Sequence, residues 1–462
     1  MQDKEWNDGI WDTSWDNLLC GNRYVQGRCA FSSIAGAILT VPFGDISESR
    51  LLGVNGVYHH TGGEKRYPYL CGFTQDGIYL AVLDALSDGV ARRMPGGTKE
   101  TFHSPIVLEA KGQFDPCAPV VAFRVEFKQL AEWLHFTYSP RLNDNMIEVD
   151  LNTPSITIPI LDTLSLCGEI RLGLNPVKLL QAELNITTHC YVYMRYSLGA
   201  PLSKVLHEDL ARLRSLFSFL FACRALVDSL AVKFADEDNW VTVHVSSPVE
   251  IAKNGRLQPA VAFGSLNREG LLTLANKWFS LTGDEHRASQ VLTSLLSKWE
   301  MPFDLMQVAA STMLESLMRA NADQLYSDDE FDDMVTPILD ASDPEIVNRV
   351  RGILNLLKFE SYNMLLERAR IEGAPWVDRL IPKWSQFKRA QHDMRTTGAH
   401  GKAAMANLPL RVDHYHASIV IAYIVLMRRM GLSDDLVDEF EKSTFMNHAR
   451  ERITQRYSKS DD

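Results

Sequence analysis

No two cysteines of the 462-residue chain are spaced as a CxxC pair, and the seven present (Cys20, Cys29, Cys71, Cys117, Cys167, Cys190, Cys223) lie far apart in its first half. That spacing excludes a zinc ribbon and provides no disulfide framework, and the odd count fits a reducing cytoplasm. Positive charge is also in short supply: 47 Lys and Arg stand against 58 Asp and Glu, a net charge of -11. A protein that coats nucleic acid non-specifically is thereby excluded, although a small local basic site is not. The first residues, MQDKEWNDGIW, contain no basic region leading into an apolar stretch, so no secretory signal is expected. Long uninterrupted apolar runs are missing as well. Residues 213–232 include Arg214, Arg224 and Asp228, and residues 417–427 fall well short of the ~20 needed to span a membrane. Both runs are expected as buried helices, with no membrane partner. Gly96-Gly97-Thr98-Lys99 lacks P-loop spacing, no GxGxxG opens a helix after a strand, and GxSxG and HExxH are absent. No metal and no cofactor is implied.

What is present reads as an α+β protein of two domains. Hydrophobic residues make up 46% and charged residues 23%, ordinary values that set aside disordered and coiled-coil classes. To about residue 200, turn signals such as Pro42-Phe43-Gly44, Asn55-Gly56, Asp76-Gly77 and Asn175-Pro176 punctuate short β-favouring stretches at 36–41, 78–83, 120–127, 155–160 and 190–196. From 202 to 234 the period changes: Leu206, Leu210, Leu213, Phe217, Leu220 and Phe221 recur three and four residues apart, which predicts a helix. A strand at 240–245 and an irregular stretch at 246–267 follow. Helical patterning then dominates, at 291–299, 303–322, 344–372, 375–395 and 412–430, with Asp343 and Pro344 expected to start one helix and the acidic stretch 328–333 expected in a loop. The expected domains are a β-rich region over 1–268, including the helix at 202–234, and a helical bundle over 269–462.

Residues able to carry chemistry concentrate in the helical half. Between Arg379 and Lys402 stand six basic residues, Arg379, Lys383, Lys388, Arg389, Arg395 and Lys402, with Asp393 the one acidic residue. Such clusters bind phosphates, and about as often form solvated helix faces. The stretch MRTTGAHGK separates Arg395 from His400 by four residues. Thr396-Thr397-Gly398-Ala399 is expected to break the helix that begins near Pro375, leaving Arg395 at a helix end and His400 in the turn after it. An imidazole accepts a proton near neutral pH and a guanidinium clamps a phosphate with two hydrogen bonds. Together they suit metal-free RNA cleavage, in which a ribose 2'-hydroxyl attacks its own phosphate and charge builds on the phosphoryl oxygens. Roughly two such pairs arise by chance in a chain of this length, and Arg411 with His416 is a second. There Arg411 is expected to solvate a helix end and His416 to pack in the core. The first pair is preferred for its helix break, its basic run and the following Gly401. His414 and His416, with Asp413 beside them, form only a lone HxH, a weak metal-ligand signal. His59-His60, beside Gly62-Gly63, is expected in a loop and has no ligand partners at a recognisable spacing.

The segment from Arg395 to His400, followed by a final apolar helix, resembles the HEPN superfamily, helical domains that often carry an Arg-x(4 to 6)-His ribonuclease motif. The whole layout, a β-rich region with WDTSW (Trp11 to Trp15) near its start and a helical C-terminal half, resembles the ApeA type of bacterial anti-phage protein. The resemblance implies an N-terminal sensor of infection and a metal-independent endoribonuclease that cleaves cellular RNA in abortive infection, with transfer RNA among its candidate targets. It implies Arg395 and His400 as catalytic residues, and Lys388, Arg389, Thr396 and Lys402 at the RNA. It also implies a homodimer whose two motifs face one cleft, and a phage-derived trigger protein. Thr396 stands where many active members carry an amide or acid, often Asn, and retains a hydroxyl that can donate a hydrogen bond. Glu315, in the predicted helix 303–322, would orient Arg395 as helices of this superfamily sometimes do, whereas a lone carboxylate is more commonly exposed. The alternative is a non-catalytic HEPN-like protein used for dimerisation or RNA binding.

Overall fold

The computed structural model describes residues 3–12, 24–43, 46, 50–54, 57–61, 66–93, 97–134, 137–143, 146–152, 158–161, 164–176, 182–235, 237–246, 257–266, 268–296, 302–320, 324–399 and 408–458. The chain forms two compact units, Met1–Ala211 with Leu226–Arg256, and Arg212–Ala225 with Leu257–Asp462. The first is rich in strands and the second helical, so the class is α+β as expected. Among the described residues no helix is long and apolar enough to cross a membrane.

In the first unit, the Val-, Ile- and aromatic-rich stretches between turn residues pair antiparallel. Six strands close into a ring: Tyr79–Arg93, Arg66–Thr74, Lys4–Asp12, Val25–Ser32, Gly36–Phe43, Gly97–Ser104, and back to Tyr79–Arg93. Alternate residues of these strands, among them Trp6, Trp11, Phe31, Leu39, Leu70, Val82 and Phe102, fill the interior of this barrel. Trp11 fits because two neighbours are glycine: a Cβ on Gly72 would lie 2.5 Å from the indole ring and one on Gly27 would lie 2.9 Å from it. The sheet also continues outward from the barrel through Ile106–Ala110, Val241–Val245, Val227–Phe234, Val120–Phe127, Ala182–Ala200, Leu164–Pro176 and Ile158–Leu161.

Tyr79–Arg93 serves both parts, residues 79–83 pairing with 106–110 and residues 86–93 with 97–103. Between the two halves Asp84 adopts φ +50°, a left-handed conformation that Asp tolerates better than most residues, and its carboxylate meets Arg66 at 3.2 Å. His59 and His60 lie in the strand Val57–Thr61, paired with Arg50–Val54, and not in a loop.

The helix expected over 202–234 is shorter than its apolar content suggests. It ends at Phe221, followed by Ala222 at φ +53°, and Val227–Phe234 is a strand between Val120–Phe127 and Val241–Val245. The three-to-four spacing stops at Phe221, while the later apolar residues, Val227 and Val232 among them, suit a buried strand.

The helical unit is built from α1 (Leu210–Phe221), α2 (Arg268–Ser280), α3 (Gly283–Leu295), α4 (Phe303–Arg319), α5 (Asp328–Asp340), α6 (Val347–Leu354), α7 (Tyr362–Glu372), α8 (Trp376–Leu380), α9 (Trp384–Ala399), α10 (Leu408–Arg429), α11 (Asp434–Glu441) and α12 (Thr444–Tyr457). Residues 417–427 of α10 are apolar almost all round and buried on every side, which makes α10 the central helix against which α4, α7 and α12 pack. Phe219 of α1 stacks on Tyr423 of α10 at 4.8 Å, and the Tyr423 hydroxyl donates to the Phe219 carbonyl.

Three expectations for this half are corrected. The acidic residues 328–333 begin a helix: Ser327 and Glu330 form a reciprocal capping box, and carboxylates in a first turn favour the helix dipole. The stretch 344–372 is two helices, the first starting at Val347 and the second capped by Ser361. The stretch 375–395 is interrupted at Ile381-Pro382-Lys383, because a proline cannot continue α8, and α9 then runs on through Thr396-Thr397-Gly398-Ala399 without a break. A glycine in a helix costs only about 1 kcal/mol, too little to end one by itself.

Candidate active site

Helix α9 aligns Trp384, Phe387, Gln391 and Arg395 on one face, at spacings of three and four. The first three are buried and Arg395, one turn beyond, is half-exposed. Facing them, α4 carries Gln307, Ser311 and Glu315 at four-residue spacing, a polar stripe along the helix.

Gln391 is the centre of a buried network. Its Nε2 lies 3.2 Å from Ser311 Oγ, 3.0 Å from Ser418 Oγ and 3.4 Å from the Tyr362 hydroxyl, while its Oε1 is 2.7 Å from His414 Nδ1. The other His414 nitrogen is 2.5 Å from the Tyr457 hydroxyl, and the ring stacks on Phe387 at 4.6 Å. Burial, and then the nearby Arg456, push the His414 pKa down to about 3, so the ring is neutral. A neutral imidazole has one N–H, and the partners assign it: Nδ1 donates to the Gln391 carbonyl and Nε2 accepts from Tyr457. Next to it, buried Asp413 is gripped by Arg456 at 2.6 Å and Arg452 at 2.9 Å, two residues one turn apart on α12.

Arg395 lies at the edge of this network. Its Nε and Nη2 donate to one oxygen of Glu315 at 2.9 and 2.5 Å, and its guanidinium lies over the Tyr362 ring at 4.8 Å. The other Glu315 oxygen accepts from Arg319 at 2.9 and 3.1 Å. Glu315 is largely buried, with its side chain 12% exposed, and is held between two guanidiniums. Arg395 is therefore fixed in orientation by a carboxylate and an aromatic ring, a placement that suits a guanidinium aimed at an anion.

The other residues singled out in the sequence fall in different places. Lys388 Nζ is 3.2 Å from Glu367, which also accepts from Trp384 Nε1 at 2.9 Å and pairs with Arg370. Arg389 is exposed, one position round the helix. Thr396 is in α9, while its side chain, His400 and Lys402 lie outside the described residues. Arg379, the first of the basic run, is bound by Asp438 and Glu441 and lies by the Trp376 ring. Arg379, Lys388 and Arg395 thus each meet a carboxylate, though Glu367 is shared with Arg370 and Glu315 with Arg319, and the run is less cationic than its composition suggests.

Arg411 of the second Arg/His pair bonds Gln307 and Asp304 within the unit, and His416 is half-buried. Both His414 nitrogens are hydrogen-bonded, Asp413 accepts from Arg456 through Oδ2 and is ion-paired with Arg452 through Oδ1, and among the described residues no group of three or more His, Cys, Asp and Glu could hold a metal ion.

Gln391, His414, Tyr457, Tyr362 and Ser311 were not legible as a site in the sequence. The available signal was local: Gln391 continues the apolar stripe of Trp384 and Phe387, and Ser311 and Glu315 interrupt one.

Comparison with known families matches residues 21–260 to ApeA N-terminal domain 1. Comparison with curated proteins and with solved structures gives no match. The matched span exceeds half of the 462 residues and takes in most of the strand-rich unit, and on that extent of agreement the chain belongs to the ApeA N-terminal domain 1 family and is an ApeA-type protein.

Proposed function

We propose that this ApeA-type protein is a metal-independent endoribonuclease in which Arg395 and His400 cleave RNA. Membership of the ApeA family assigns the chain to anti-phage defence. The observation that supports the nuclease reading is the way Arg395 is held: Glu315 and Tyr362 immobilise the guanidinium at the end of the inner face of α9, five residues before His400, and Nη1 is the nitrogen those bonds leave unused. In the proposed reaction His400 removes the proton of the 2'-hydroxyl, the 2'-oxygen bonds to phosphorus, and the bond from phosphorus to the 5'-oxygen breaks as that oxygen takes a proton from water, to which His400 returns the one it removed. Arg395 stabilises the charge on the phosphoryl oxygens. The products are a 2',3'-cyclic phosphate and a 5'-hydroxyl. Lys388, Arg389, Lys402 and Thr396 contact the RNA, the enzyme works as a homodimer in the cytoplasm, and the β-rich unit answers a phage-derived trigger protein.

The test uses the wild type with Arg395→Ala and His400→Ala, and cellular RNA resolved on denaturing gels with and without phage. Cleavage is expected only in the infected wild type. Identical RNA patterns in all three strains, where the wild type protects, would sink the nuclease reading.

A second reading, a non-catalytic HEPN-like interaction protein, is favoured by the carboxylates on Arg379, Lys388 and Arg395, which reduce the cationic surface offered to RNA. Under that reading Arg395→Ala and His400→Ala still protect cells.

A further inference from the structure

We propose that Arg319 forms with Arg395 a two-guanidinium site for neighbouring phosphates of a single RNA strand. The inference rests on the RNA-cleavage reading of Arg395 and adds to it a residue outside the basic run. Arg319 is the last residue of α4, one turn beyond Glu315, so the two side chains share a face of that helix. Arg395 reaches the same carboxylate from α9. Glu315 Oε1 accepts from Nε and Nη2 of Arg319 at 3.1 and 2.9 Å, and its Oε2 accepts from Nε and Nη2 of Arg395 at 2.9 and 2.5 Å. Both arginines thus bond through the same edge, and Nη1 of each makes no bond to a described residue. Glu315 is the one carboxylate that either guanidinium meets among the described residues.

Exposure divides the trio. The Glu315 side chain is 12% exposed, whereas those of Arg319 and Arg395 are 42% and 37% exposed. One guanidinium balances the charge of a buried carboxylate, and here there are two, which leaves the trio with one net positive charge. An exposed ion pair at i,i+4 adds little stability, so Arg319 serves the fold only weakly from this position. A guanidinium pinned along one edge keeps a second edge of N–H donors, the fork that grips a phosphate, and the pinning removes beforehand the side-chain freedom that binding would otherwise cost. Two such edges, set side by side across one carboxylate, suit two neighbouring phosphates of one strand. Arg395 meets the scissile phosphate and Arg319 the one beside it.

The test is fluorescence anisotropy of the full chain with a fluorescein-labelled 2'-O-methyl oligouridylate, which keeps its phosphates and lacks the attacking 2'-hydroxyl, over a series of salt concentrations. Saturable binding is expected. Arg319→Gln should weaken it about tenfold at low salt, and should make the fall of log affinity with log salt shallower by about 0.7, the share of one phosphate contact. Arg319→Lys keeps the charge and should keep the wild-type slope. Arg287→Gln, which removes an exposed arginine paired with Asp284 on α3, should change neither quantity. Arg319 is exposed, so the melting temperature should hold and report that its variants fold. The proposal is overturned if wild type shows no saturable binding, if Arg319→Gln keeps the wild-type slope, or if Arg287→Gln flattens the slope as much. The site and the nuclease reading fail separately. Cleavage of cellular RNA by wild type, with an unchanged slope for Arg319→Gln, overturns the site alone; the expected slopes, with cellular RNA intact in protected wild-type cells, uphold the site and sink the nuclease reading.

Discussion

A Cβ on Gly72 would meet three ring atoms of Trp11 at 2.5 to 2.6 Å, and the ring is enclosed by the barrel and has nowhere to move. Gly72→Ala should therefore destabilise the protein by about 1–3 kcal/mol, the usual cost of overpacking, read as a lowered melting temperature in thermal unfolding. A variant that melts with the wild type would mean that the indole has slack. His414 gives a prediction in pH. Its folded pKa of about 3 lies below the unfolded value near 6.5, so on acidification the unfolded chain takes up a proton that the folded one refuses. Above pH 6.5 the residue adds no pH dependence, and below it stability falls, by roughly 2 kcal/mol between pH 6.5 and 5. Urea midpoints measured across that window should drop more steeply for wild type than for His414→Phe, and parallel curves would show that the ring is protonated in place. None of this was visible in the sequence, where His414 stood out only as half of an HxH; its role depends on Gln391 and Tyr457, 23 and 43 residues away.

Among the elements, those decided by local pattern were legible. The strands at 36–41 and 120–127, and the helix that runs from Phe303 to Arg319, follow from period and turn residues alone. The misreadings share one cause, which is that local signals compete. Thr396, Thr397 and Gly398 are poor helix formers, yet α9 contains them, because the cost is small beside the packing of Trp384, Phe387 and Gln391 earlier in the same helix. The acidic run 328–333 looked like a solvated loop because its charge hid the Ser327 cap. Ser327→Ala removes the reciprocal bonds with Glu330 and should cost about 1 kcal/mol. The change should appear as faster amide hydrogen exchange in the first turn of α5, with the exchange of α10 unaltered; equal exchange in α5 would mean that its packing alone holds the start.

For the molecule as a whole, a net charge of -11 and the carboxylates on Arg379, Lys388 and Arg395 limit the cations that the proposed RNA site can offer. If about two cations meet phosphates, the logarithm of the affinity for single-stranded RNA should fall against the logarithm of salt with a slope near -1.4, against about -4 if all six basic residues of the run do so. Affinities measured over a series of salt concentrations separate these, and the steep slope would show that the ion pairs open on binding. Barrel closure was the largest feature hidden from the sequence: Tyr79–Arg93 and Gly97–Ser104 form a local hairpin, but the closing pair of Gly36–Phe43 with Gly97–Ser104 joins residues that no short window contains. The strand Tyr79–Arg93 also constrains how the protein can be divided. Since residues 79–83 complete the outward sheet and residues 86–93 complete the barrel, a cut on either side leaves a row of bare backbone N–H and C=O groups. The barrel and the outward sheet therefore form one indivisible expression fragment, and any shortened version that separates them should self-associate through the exposed seam.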